Sequence, residues 1–90
     1  MKINIFLRNS SEPICVEVDG ANTVAEALTL VADPELLEVL LDSSGIRRHV
    51  SAYLGIPREG VRNIKSEQGM ETAIKQGEEL TFLIADPFTN

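Results

Sequence analysis

The sequence has no tryptophan, and its 90 residues include only three phenylalanines and one tyrosine. A core must therefore be aliphatic, drawn from the Leu, Ile, Val and Ala that dominate a hydrophobic fraction of 43%. A single cysteine, Cys15, rules out an intramolecular disulfide and requires no oxidising compartment. A single histidine, His49, has no second imidazole with which to share a metal ion. Basic residues are scarce: eight against fourteen acidic, a net charge of −6. That excludes non-specific nucleic-acid binding, which needs basic patches to displace counterions. It suits docking on a basic protein surface, and equally plain solubility. No apolar run approaches the roughly 20 residues of a membrane helix. Residues 1–5 alternate instead of forming the apolar segment of a signal peptide. There is no P-loop, no dinucleotide fingerprint and no metal-ligand spacing. A single domain over residues 1–90, soluble and cytoplasmic, without cofactor or membrane partner, is expected.

What is present is alternation. Ile3, Ile5 and Leu7 point one way; Lys2, Asn4, Phe6 and Arg8 point the other, the period of a half-buried strand. Residues 9–13 make a turn by composition, and Ile14-Cys15-Val16-Glu17-Val18-Asp19 alternates again, predicting an antiparallel hairpin. Thr23-Val24-Ala25-Glu26 reads as a capping box, so a helix begins at Thr23, with Val24, Ala27, Leu28 and Val31 on its apolar face. Asp33 can cap a second short helix with Pro34 in its first turn. Leu36, Leu37, Leu40 and Leu41 are its expected buried stripe, and Ser43-Ser44-Gly45 its stop. Val50, Ala52 and Leu54 predict a third strand, and Val61-Arg62-Asn63-Ile64 a short fourth one. Ile74 should drop into the core from a turn, and Gly77 should take a positive φ before a last strand over residues 80–85. Five strands and a main helix in this order define an α+β domain.

Several segments together resemble the MoaD/ThiS-type sulfur carriers, the ubiquitin-like small proteins of molybdopterin and thiamine biosynthesis. They are the opening strand, Thr23-Val24-Ala25-Glu26-Ala27-Leu28, Leu41-Asp42 before a Ser-Ser-Gly turn, Arg47-Arg48-His49-Val50, and Ala73-Ile74-Lys75-Gln76-Gly77-Glu78-Glu79-Leu80. The resemblance covers nearly the whole chain. It implies a ubiquitin-like β-grasp, a mixed sheet of strand order 2-1-5-3 with the short fourth strand beyond. The first and last strands would then be parallel neighbours. It also implies a protein partner: an activating enzyme like those of ubiquitin, or a molybdenum, tungsten or sulfur-transfer enzyme. In that family a terminal Gly-Gly is adenylated and converted to a thiocarboxylate. Glycine suits this because a backbone without Cβ can approach most closely in a tight channel. Here Phe88, Thr89 and Asn90 stand at that place, and the sequence contains no Gly-Gly. The expectation is a protein-binding member without terminal chemistry and without an active site of its own. The alternative is a working carrier that uses an unusual end.

With that strand order, Cys15, Phe6, Leu83 and Tyr53 fall side by side on the outer sheet face, an apolar row that suggests a partner surface or a homodimer contact. The family is similar in using an apolar patch on this face. Arg48, within the basic cluster Arg47-Arg48-His49 with Arg8 nearby, is the candidate for a phosphate or an acidic partner, although a solvated strand entrance is the simpler account of the cluster. Cys15 lies on a strand without a histidine partner, so a structural side chain is the expected role. Asp33, Glu35, Glu38 and Asp42 read as a solvated helix face.

Overall fold

The computed structural model describes residues 1–7 and 11–84. Strand β1 (Lys2–Phe6) pairs antiparallel with β2 (Ile14–Glu17) and parallel with the last strand, β7 (Glu79–Ile84). On its other side β7 pairs antiparallel with β5 (Val50–Ile56), which carries β6 (Gly60–Asn63) at the far edge. The sheet order is therefore β2-β1-β7-β5-β6, the expected mixed sheet with first and last strands adjacent at its centre. Helix α1 (Val24–Thr29) and helix α2 (Pro34–Leu40) follow the first hairpin. A small second sheet pairs β3 (Leu41–Asp42) with β4 (Gly45–Ile46).

Register explains the core. The inner face of the sheet aligns Ile5 with Phe82 and Ala52, and Ile3 with Leu80 and Leu54, all fully buried. Alanine beside phenylalanine keeps the layer filled without crowding. Val24, Ala27, Leu28 and Val31 of the α1 segment and Leu40 of α2 close the core. Each large side chain here contributes on the order of 1.5–3 kcal/mol by leaving water.

The helix starts form as their sequences dictate. Thr23 Oγ1 accepts from the Glu26 amide at 3.2 Å. The returning carboxylate of Glu26 accepts from the amide of Asn22 instead of Thr23, one residue further out. Asp33 caps α2 by accepting from the amides of Glu35 and Leu36, and Pro34 opens that helix. Helix α1 is shorter than its apolar spacing predicts. It ends at Thr29, whose hydroxyl donates to the carbonyls of Ala25 and Glu26 and so competes for the last turn. Val31 reaches the core from beyond the helix end.

Three expectations need correction. Leu7 lies past the end of β1 and is half-buried rather than part of the buried row. The Leu stripe of α2 is fully buried only at Leu40; Leu36 and Leu37 are half-buried, and Leu41 has left the helix for β3. The Ser-Ser-Gly segment does not merely stop α2 but turns a hairpin. Asp42 accepts from both the amide and the hydroxyl of Ser44, and these bonds hold its carboxyl below the ordinary aspartate range. Ile74, half-buried, packs against the core as expected, and Thr72 of the same turn is 4% exposed. Gly77 has the expected positive φ, 87°.

Gly55 sits where β5 meets the turn into β6. A Cβ there would press on the Gly60 carbonyl oxygen and lie 2.7 Å from the Val61 Cα. Both obstacles are main chain and cannot swing aside. Gly55→Ala should therefore force β6 away from β5 and cost about 1–3 kcal/mol. Urea denaturation checks this; a wild-type midpoint would show that the edge hairpin yields freely.

Candidate protein-binding face

The outer face of the sheet is set by the same register that builds the core. Pairing Ile5 with Phe82 on the inside places Phe6 opposite Leu83 on the outside. Leu83 is 41% exposed, and Phe6 is half-buried beside it. Ser51 completes that row on β5. The neighbouring row runs Cys15, Asn4, Thr81, Tyr53, Asn63. The four residues expected side by side thus occupy two rows. Phe6 and Leu83 are direct neighbours, and Tyr53 is diagonal to Leu83, within aromatic reach. Cys15 belongs to a polar row, where its thiol donates to Asn4 Oδ1 at 3.4 Å.

Arg48 is exposed in the turn that enters β5. The first residue of β5, Val50, pairs with Ile84, the last of β7. Arg48 therefore stands at the same end of the sheet as Phe6 and Leu83. Its turn is held from beneath by Lys65, whose Nζ donates to the carbonyls of Arg47, Arg48 and Val50 at 2.8, 3.1 and 2.7 Å. An ammonium on three carbonyls satisfies all its donors and fixes the turn. Arg47 points elsewhere: its Nε donates to the Glu38 carbonyl at 2.7 Å. The basic cluster is thus split, with Arg47 tied to α2 and Arg48 exposed. His49 lines a shallow depression with Glu35, Glu38, Val39 and Arg47. Arg8, Phe88, Thr89 and Asn90 lie outside the described residues.

The turn that carries much of the family resemblance has a structural task that sequence reading did not assign. Glu78 is 7% exposed. One of its oxygens accepts from the Lys75 amide at 2.7 Å, closing the turn. The other meets the Arg62 guanidinium of β6 at 3.0 Å. Glu79 next to it accepts from Asn4 of β1 at 3.1 Å. Two adjacent acids thus fasten the entry of β7 to strands on both sides. The signal available in the sequence was a buried-strand boundary carrying two carboxylates, but their partners are 16 and 75 positions away. Among the described residues no group of three or more His, Cys, Asp or Glu is placed to hold a metal ion. No helix among them is long and apolar enough to cross a membrane.

No family model and no curated protein matches this chain. Its fold is similar to that of a chain in the crystal structure of the Amycolatopsis orientalis BexX/CysO complex. The TM-score is 0.68 at 21% identity, over 93% of this chain and 96% of that one. The likeness shows the ubiquitin-like β-grasp fold.

Because Glu78, largely buried itself, answers both an amide and a guanidinium, Glu78→Ala should cost about 1–3 kcal/mol. Arg62 also meets Glu67 at 3.4 Å, but that pair is largely solvated. Glu67→Ala should stay within about 0.5 kcal/mol of the parent. Parallel urea titrations read both; equal losses would show that burial of Glu78 is immaterial.

Proposed function

We propose that this chain is a ubiquitin-like protein of the sulfur-carrier kind that acts by binding a protein partner through its outer sheet face, and that it is not itself an enzyme. The observation that carries this reading is the exposed Leu83 beside the half-buried Phe6 on the two central strands, near one end of the sheet. A central strand is normally where a sheet is best covered, and an apolar pair left open there is suited to a partner. Tyr53 extends the apolar area and Arg48 adds one cation at its margin. Two further facts support the reading. The sequence segments resemble MoaD/ThiS-type carriers along nearly the whole chain, and the similar fold occurs in a solved two-protein complex. A partner of this kind would be an activating enzyme of the ubiquitin-activating type, or a molybdenum, tungsten or sulfur-transfer enzyme.

The ninety residues hold no Gly-Gly, so the reading assigns them no terminal thiocarboxylate. Recognition then rests on the folded surface alone. Phe6→Asp and Leu83→Lys should leave the fold intact and weaken capture of a purified activating enzyme of the MoaD/ThiS class at least about fivefold, since an anchor of an interface contributes more than about 1 kcal/mol. Binding is read by calorimetry and folding by circular dichroism. Unchanged affinity in folded variants would mean that this face is idle. In the same mixture with ATP and a sulfur donor, intact mass spectrometry should show no exchange of oxygen for sulfur. A thiocarboxylate there would favour the working-carrier reading instead.

A further inference from the structure

The sheet has two edges, and they differ. At the β6 edge, Gly60 carries a φ of 141° and Arg62 stands opposite Leu54 on the inner face. The strand then runs into a tight 3-10 turn at Ile64–Ser66. A distorted start, an inward-pointing charge and an abrupt end are features that blunt an edge against further pairing. The β2 edge has none of them. It is regular over four successive pairs with β1 and carries no Lys, no bulge and no internal Pro.

The hydrogen-bond phase of β2 fixes what it offers. Met1 and Val18 exchange both main-chain bonds, at 3.0 and 2.6 Å. Alternation along an antiparallel ladder then turns the main-chain groups of Val16 and Ile14 toward β1 as well. The N–H and C=O groups of Cys15 and Glu17 therefore face away from β1. Among the described residues β2 has no second neighbour strand. Two donors and two acceptors are thus presented in line, and Pro13 bounds them at one end because it has no N–H to give.

Side chains along this edge specify the occupant. On the inner side Ile14 is 36% exposed and Val16 is half-buried, leaving an apolar flank. Between residues 11 and 20 the charged residues are Glu12, Glu17 and Asp19, and Lys2 of β1 is the one cationic side chain opposite them, across from Glu17, among the described residues of these two strands. Glu17 and Asp19 are exposed, and the ion pair of Asp19 with the N-terminal ammonium is stretched to 4.0 Å. A second copy would bring the same acids and the same −6 charge to the junction. We infer that the β2 edge is a docking strand that takes an extended, basic segment of a partner protein as a sixth strand of the sheet. Main-chain bonds to Cys15 and Glu17 supply affinity, apolar residues pack on Ile14 and Val16, and Lys or Arg side chains meet Glu17 and Asp19. This surface is separate from the outer face around Leu83 and stands without it.

The test is amide hydrogen exchange on the full chain with a short amidated peptide that alternates valine and lysine. With the peptide at about ten times its Kd, exchange at the amides of Cys15 and Glu17 should slow about tenfold. Ile14 and Val16, already bonded to β1, should change little. A valine–glutamate peptide should give no protection. Cys15→Pro removes one outward N–H without touching a bond to β1, so it should abolish the effect. If that variant loses protection at Ile14 and Val16, Glu17→Lys replaces it and should reverse the preference between the two peptides. Equal binding of the acidic peptide overturns the charge assignment. Protection at Val61 or Asn63 overturns the choice of edge. Concentration-dependent protection of Cys15 and Glu17 without peptide would make a second copy the occupant and overturn the inference.

Discussion

The parallel pairing of β1 with β7 is the interaction on which the rest of the structure depends. It joins segments from opposite ends of the chain and aligns Ile3 with Leu80 and Ile5 with Phe82, four fully buried side chains. Their burial supplies on the order of 1.5–3 kcal/mol each. That must offset the entropy of closing a long loop, a cost that grows only slowly with loop length. Neither strand could bury this face alone. Every other element either extends the sheet from this pair or packs on its inner side.

The same pairing creates the outer face. Side chains alternate with a period of two, so the register that hides Phe82 must also expose Leu83, and the one that hides Ile5 must turn Phe6 outward. An apolar outer row is therefore no accident of one residue. It lies on the two central strands, whose inner side chains Ile3, Ile5, Leu80 and Phe82 are fully buried. The ends of the sheet are tied by polar contacts: Glu78 and Glu79 at the entry of β7, Lys65 beneath the turn at Arg48. These ties hold orientation; the aliphatic rows supply most of the free energy.

On the two readings proposed above, one sheet carries two kinds of recognition surface. Its face offers side chains, with shape and apolar area as the basis of selection. Its β2 edge offers main-chain groups, with acids beside them as the basis of selection. The chain's acidic balance, −6, favours basic partners at either surface through encounter rate more than through final affinity. Neither surface needs a pocket, a metal or a nucleophile, and the open groove of about 530 Å³ between residues 1–2, 18–22 and 74–79 lies at the opposite end of the sheet from Leu83.

The alternation of Ile3, Ile5, Val50, Ala52 and Leu54 was legible without coordinates because a strand with one wet face must alternate, whatever surrounds it. The caps at Thr23 and Asp33 were legible because they answer amides two or three residues away. What the linear chain could not decide was everything that depends on a distant partner. The split of the outer residues into two rows required the register of four strands. The task of Glu78 required Arg62 to arrive from β6. The edge position of β2 was expected from the family resemblance, but which of its main-chain groups face outward required the register with β1. Local hydrogen bonding and periodicity are properties of sequence; adjacency between strands is a property of the closed sheet alone.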